Sequence, residues 1–340
     1  MSRRTRGFFL NEEYGAYHII SRVAGGELIL SNKDKEYFVN LMFKLLKGYY
    51  VNLVSYTVMS NHFHILLTNR SDDAQIASKD ELIAKYKDAF GEDAEHPEGS
   101  YIRNSFEIDY DDDGGIERLR RRLGSVSRFV QDLKQRYSKW YNIQHNRKGT
   151  LWAERFKDIA IGKGDAELIC SAYIDLNAVR AGIVEKPEDY RWSSIGLRVR
   201  DPRKAKQLFS KIILKKETVR TFTDSTSGKI KQELERQSQE VTFLIYQSFV
   251  YESGKVDKKG MGKISEKYYE ESRSILKRSG IKDSLRYRYR NITEGIAFGN
   301  YKLVAELQEK LGRKFIRPRK VTENELGEDV IYSTRKLSSI

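Results

Sequence analysis

A chain of 340 residues that is 39% hydrophobic can bury one sizeable core and a second, smaller unit; its net charge of +14 and pI near 9.5 point to a polyanionic partner, nucleic acid before membrane. A single cysteine, Cys170, excludes an intramolecular disulfide and a multi-thiolate zinc site. There is no run of about 18 apolar residues, and the basic start MSRRTRGFFLNEEYG has no apolar stretch of signal-peptide length, so a cytoplasmic protein is expected.

The charge is uneven, because residues 201–340 hold 31 Lys+Arg against 19 Asp+Glu, a net +12, which leaves +2 for residues 1–200. YHIISRVA (Tyr17 to Ala24) is β-branched and aromatic and stops at Gly25-Gly26, as a strand entering a turn does. Ser31 or Asn32 then caps a helix in which Phe38, Leu41, Met42 and Leu45 recur at three-to-four spacing up to Gly48. YYVNLVSYTVM (Tyr49 to Met59) and HFHILLTN (His62 to Asn69), separated by Ser60-Asn61, read as a hairpin.

From 71 to about 115 the composition turns to Asp, Glu, Gly and Ser, which reads as an acidic surface insertion that adds little to the core. One long helix is expected next, with Leu123, Val126, Phe129, Val130, Leu133, Tyr137, Trp140 and Tyr141 on its apolar stripe. ERFKDIAIG (Glu154 to Gly162) is strand-like, and after Gly164 the run DAELICSAYIDLNAVRAGIV is helical, with Asp165 at its N-cap and Gly182 near its exit. Gly162 and Gly164 read as a turn, or as a hinge for that helix. The order β-α-β-β-α-β-α implies an α+β fold, an antiparallel sheet of the ferredoxin-like kind with packed helices, over residues 1–198. Residues 199–235, polar and basic, read as a linker, and 236–340 as a separate, basic, mostly helical nucleic-acid-binding unit.

Within SNHFHILLTNR (residues 60–70), His62 and His64 are two apart on a strand and share a face, while Phe63 points to the other. Two neutral imidazoles side by side are half of a metal site; two polar residues on a solvent face are the plainer reading of such a pair. In SAYIDLNAVRAG, Tyr173 and Asn177 lie one turn apart with Arg180 a turn further, though Ile169, Tyr173, Leu176 and Ile183 also fit a packing stripe. Tyr137 and Tyr141 fall on the apolar stripe of their helix and read as core, Cys170 as a buried bystander, and His96 and His145 as solvated. His18 lies in the first strand, outside the proposed ligand set.

Taken together, YHIISR, VSYTVMSNHFHILL, GTLWAERFKDIAI and SAYIDLNAVRAGIV with DYRWSS resemble the REP-associated tyrosine transposases, single-tyrosine HUH nucleases. The likeness spans about residues 8–196 and leaves out the acidic insertion and the C-terminal part. It implies that His62, Phe63 and His64 are the HUH motif, that Tyr173 is the nucleophile forming a 5′-phosphotyrosyl intermediate, and that Asn177 completes the shell of a divalent metal. Mg²⁺ or Mn²⁺ suits two imidazoles plus an amide oxygen, and zinc stays open. It further implies a metal-dependent endonuclease and strand transferase, as monomer or homodimer, acting on single-stranded DNA beside REP-like hairpins. Two other readings stay open: a catalytically silent binder of repeat hairpins, and a replication-initiator or relaxase-type nickase.

Basic residues interleaved with aromatics suit unpaired DNA, where cations find phosphates and rings stack on bases. Arg286, Tyr287, Arg288, Tyr289 and Arg290 in LRYRYRN have that pattern, and GRKFIRPRK adds a second basic run. Within the first 198 residues, Arg118, Arg121, Arg122, Lys134, Arg155, Lys157 and Arg180 are the candidate DNA contacts.

Overall fold

The computed structural model describes residues 15–91, 113–223, 230–255, 262–268, 270–279, 290–293, 295–311, 319–320 and 332–335. In chain order these form β1 (Gly15–Arg22), α1 (Asn32–Gly48), β2 (Val51–Val58), β3 (His62–Asn69), α2 (Ser71–Ile76), α3 (Lys79–Phe90), α4 (Asp113–Leu123), α5 (Val126–Gln144), β4 (Lys157–Gly162), α6 (Asp165–Asp175) and α7 (Asn177–Arg180). There follow α8 (Ser194–Arg200), α9 (Pro202–Leu208), β5 (Ile213–Thr223), β6 (Ile230–Glu240), α10 (Phe243–Gly254), α11 (Glu270–Ser279), α12 (Arg290–Thr293), β7 (Gly295–Gly299), α13 (Tyr301–Leu311), β8 (Arg319–Lys320) and β9 (Tyr332–Arg335).

The main sheet runs β2-β3-β1-β4-β7-β9-β8, and its first four strands have the ferredoxin-like order, each antiparallel to its neighbour. The fold is therefore α+β as expected, with one departure: β7 lies parallel to β4, pairing Ala160 with Ala297 and Ile161 with Phe298, so the extended sheet is mixed.

Both faces of this sheet are covered, which explains why its strands read as almost unbroken apolar runs. On one face Phe63, Ile65 and Leu67 of β3, with Tyr17 and Ile19 of β1, join Phe38, Met42, Phe129 and Leu133 in the larger core. On the other, Ala16, Ile20 and Leu66 join Ile159, Ile161, Ile169 and Tyr173, and Phe249 of α10, in a second core. Ser31 caps α1 with a capping box to Asp34, which settles the choice between Ser31 and Asn32.

Several expectations are corrected. The start of the acidic stretch forms α2 and α3, whose Ala74, Leu82, Tyr86 and Phe90 enter the larger core; the remainder, 92–112, lies outside the described residues. Acidic residues on the outward faces mask an amphipathic pattern there. The single long helix is two, α4 and α5, broken at Gly124 where Ser125 caps α5 by accepting from the Arg128 N–H. The linker is largely structured. Phe209, just after α9, stacks on Tyr56 with ring centroids 6.1 Å apart, and β5 and β6 pair along their whole lengths from Ile213↔Glu240 to Thr223↔Ile230. Strands this polar carry no apolar alternation to read. Nor does the described part of residues 236–340 stand apart, because Ala297, Leu303 and Val304 belong to the larger core and Phe249, Ile292 and Phe298 to the second.

The helix carrying Tyr173 is anchored at both ends. Gly164 precedes α6 with φ +76°, a conformation glycine adopts without a Cβ clash, and Asp165 is the first helical residue rather than the cap. At the far end buried Asp175 accepts from Ser194 Oγ at 2.6 Å, the Ile195 N–H at 3.1 Å and the Tyr246 hydroxyl at 2.5 Å, joining α6 to α8 and α10. Burial pushes this carboxyl up to about 6 from 3.8, against the pull of those hydrogen bonds. The folded chain thus holds the Asp175 proton more tightly than the unfolded chain, and the stability this contributes is full below about pH 4 and lost as pH rises to about 6. Asp175→Asn should remove that fall in denaturation measurements across this range. Asp175→Ala, which leaves the Tyr246 hydroxyl and the Ile195 N–H without their acceptor, should lower stability by about 3 kcal/mol at neutral pH.

Candidate active site

In the β1–β3 register Arg22 stands opposite His62, Ile20 opposite His64 and His18 opposite Leu66. Opposed residues in an antiparallel pair share a face, so His18, His62 and His64 project together toward α6. The His62 and His64 rings are 5.1 Å apart, centroid to centroid, with their planes 88° apart. His64 is buried and its Nδ1 lies 2.9 Å from His18 Nε2; His18 Nδ1 lies 2.9 Å from the Ile292 carbonyl.

His62 Nδ1 lies 2.6 Å from Asn61 Oδ1. Because Asn61 Nδ2 donates to the Gly26 carbonyl at 2.8 Å, the amide orientation is set and Oδ1 accepts from the His62 Nδ1–H. Burial lowers His18 and His62 to about 4 and His64 well below its usual value. All three rings are therefore neutral at neutral pH, the state in which imidazole binds a metal.

The Tyr173 ring lies across these rings, 5.6 Å from His64 and 6.0 Å from His18, and nearly perpendicular to the first at 88°. Tyr173 is 8% exposed. The Arg180 guanidinium carbon stands 5.1 Å from the Tyr173 ring centroid, and its Nη1 is buried with no hydrogen-bond partner among the described residues. The phenol, the imidazoles and the guanidinium thus meet within one chain.

Asn177 makes no hydrogen bond to the imidazoles among the described residues. Its Nδ2 donates to the carbonyls of Tyr173 at 3.0 Å and Ile174 at 3.2 Å, so the amide nitrogen is turned back on the end of α6 and Oδ1 is the end not bound to it. Among the described residues no three imidazole, thiol or carboxylate groups converge on one point. Two neutral imidazoles on one sheet face can supply two donors to a divalent cation whose remaining donors are of other kinds, such as water or phosphate oxygen.

The candidate DNA contacts divide. Arg118, Arg121, Arg155 and Lys157 are exposed, Arg121 beside Glu117 at 3.7 Å. Arg122 and Lys134 are corrected to structural roles. Arg122 Nη2 meets Asp132 at 2.5 Å, the Tyr49 hydroxyl donates to the same carboxylate, and the guanidinium sits over Phe90. Lys134 is buried, donates to the Glu154 carbonyl at 2.9 Å and lies 5.4 Å from the Trp152 ring, in the wall of a cavity of about 790 Å³ that Arg155 also lines. Charge alone cannot separate these two from their exposed neighbours, because the long aliphatic stems of Arg and Lys pack well in a half-buried wall.

Arg286, Tyr287, Arg288 and Tyr289 lie outside the described residues, as does His96, and Arg290 opens α12. Tyr137, Tyr141 and Cys170 are buried as expected, whereas His145 is paired with Asp34 at 2.8 Å rather than simply solvated. His18 is the site residue the sequence reading left out; only the strand register reveals that it shares a face with His64.

No protein-family model matches the chain and no curated protein does. Among solved structures, it is similar to a REP-associated tyrosine transposase bound to a REP hairpin, at 13% identity and TM-score 0.38, covering 62% of this chain and 89% of that one. A likeness of that size assigns no chemistry to this chain. Among the described residues no helix is long and apolar enough to cross a membrane.

The split among the basic residues is measurable. Arg122→Ala, which leaves the Asp132 carboxylate without this cation, should lower stability by about 3 kcal/mol in denaturant titrations, and Arg155→Ala should leave the unfolding curve unchanged.

Proposed function

We propose that this chain is a divalent-cation-dependent DNA endonuclease and strand transferase of the REP-associated tyrosine transposase type, cutting single-stranded DNA beside a hairpin with Tyr173 as nucleophile. The observation that carries the reading is the meeting, on one sheet face, of the Tyr173 phenol with the neutral His62–His64 pair and the Arg180 guanidinium. A phenol, a cationic side chain and two imidazoles brought together are suited to phosphodiester attack.

Tyr173 Oη attacks the phosphorus in line. The Oη–P bond forms, the P–O3′ bond breaks, the phenol proton passes to solvent and the departing 3′ oxygen takes one up. The broken bond's energy is kept in the phosphotyrosine, so a 3′-hydroxyl on another end can reverse the reaction without a nucleotide cofactor. A cation bound at His62 and His64 would neutralise charge on the non-bridging oxygens. Arg180 supplies charge from the chain itself: its guanidinium stands beside the Tyr173 ring with Nη1 unpaired among the described residues, and would stabilise negative charge on a phosphate brought to Tyr173. The α6 anchors restrict the phenol's approach, which favours a single attack geometry. Exposed Arg118, Arg121, Arg155 and Lys157, and the basic C-terminal run, serve as sequence-independent phosphate contacts.

Labelled hairpin DNA with single-stranded flanks, incubated with protein and Mn²⁺, should give a covalent adduct on denaturing gels that Tyr173→Phe loses entirely; an adduct persisting in that variant would overturn the assignment. His62→Ala should abolish cleavage while sparing most of the binding, and Arg180→Ala should slow cleavage roughly a hundredfold. Binding without nicking by the wild type across many hairpins and metals would support a silent repeat binder instead.

A further inference from the structure

We infer that His18, backed by the Ile292 carbonyl, is a positioning residue that fixes which ring nitrogen His64 presents to a cation; this rests on the nuclease reading above. A carbonyl oxygen only accepts, so at 2.9 Å from Ile292 the His18 Nδ1 must carry its hydrogen. A neutral imidazole has one N–H, which leaves His18 Nε2 bare and an acceptor. Its partner at 2.9 Å, His64 Nδ1, must then donate. His64 Nε2 is left with an unprotonated lone pair, the form a metal ligand needs.

Asn61 does the same for His62. Its Oδ1, oriented by the bond from Nδ2 to Gly26, accepts from the His62 Nδ1–H and leaves Nε2 bare there too. Two separate acceptor systems thus impose the same tautomer on the rings either side of Phe63. One is local and exposed to the chain turn at Gly26. The other ends on a carbonyl 274 residues away from His18, in α12, so the distant C-terminal part of the chain is wired to the candidate ligand. Ligating histidines commonly donate their second N–H to such a partner, which sets ring orientation as well as tautomer. Two histidines with a purely structural role would have no need for both rings to end in the same free nitrogen.

Full-length protein carrying ¹⁵N in its five histidines reports the tautomers directly in long-range ¹H–¹⁵N spectra at neutral pH without metal. His62 and His64 should both show the hydrogen on Nδ1. Mn²⁺ alone is then titrated by calorimetry into wild type, His18→Gln and His18→Leu. Glutamine spaces a donor and an acceptor about as far apart as the two ring nitrogens and should keep affinity within about threefold. Leucine breaks the relay and should weaken Mn²⁺ binding about ten- to a hundredfold, with a melting curve confirming a folded protein. A wild-type His64 protonated on Nε2, or a folded His18→Leu protein with unchanged Mn²⁺ affinity, overturns the inference; should the leucine variant not fold, the wild-type spectrum decides. Absence of Mn²⁺ binding and of metal-dependent cleavage in the wild type would overturn the nuclease reading instead, while the tautomer spectrum still judges the relay.

Discussion

The arrangement depends on the register of β3 between two cores. Because strand side chains alternate with period two, Phe63 can sit among Phe38 and Trp152 only if His62 and His64 face the opposite side. A slip of one residue would bury both imidazoles in the larger core, against Phe38 and Phe129, and turn Phe63 and Ile65 toward α6. The cost would be two polar rings without partners and the loss of a tightly packed aromatic cluster. The polar chemistry on one face is therefore held in place by apolar packing on the other. The β1 pairing locks it further, since the same register that brings Ile20 opposite His64 sets His18 within reach of it.

The first four strands and the shared face of His62 and His64 were legible because both rest on local periodicity, which a sequence displays directly. Tyr173 was not legible in that way: on its own helix it fits a packing stripe, and it is in fact both buried and adjacent to the imidazoles. Only a family resemblance singled it out. His18 was passed over because its relation to His64 is set by strand register across 46 residues, and a single sequence does not display register. The opposite error occurred where composition dominated. The acidic stretch hid α2 and α3, and the polar β5–β6 ribbon read as a linker, because a backbone ladder needs no apolar alternation. Arg122 and Lys134 were misread for a third reason, that formal charge says nothing about whether a side chain finds its counterpart inside the fold.

The extension of the sheet by β7 changes what the C-terminal residues are for. Read from charge alone, with a net +12 over residues 201–340, they are a basic appendage for DNA. In the fold they also complete the second core through Phe249, Ile292 and Phe298, the core against which α6 is packed. Gly262 approaches so closely that its N–H donates to the Arg180 carbonyl at 3.2 Å and an added Cβ would lie 2.0 Å from the Val179 carbonyl oxygen. The chain after α10 thus braces the short helix that presents Arg180, just as α12 supplies the carbonyl behind His18.

These two contacts bear on how a cation and a phosphate would be received. Burying neutral imidazoles and an arginine nitrogen that finds no hydrogen-bond partner among the described residues costs free energy that a smaller, purely apolar site would not incur. Such a cost is tolerable when the surrounding structure over-determines the groups and when the arriving ligand repays it, a negative phosphate oxygen meeting Arg180 and a cation meeting the free nitrogens of His62 and His64. Pre-orientation of this kind spends folding energy to spare reorganisation at the moment of reaction. It also makes the site sensitive to residues far from it, since loosening α12 or the crossing at Gly262 would release the rings and the guanidinium before disturbing the sheet that carries them.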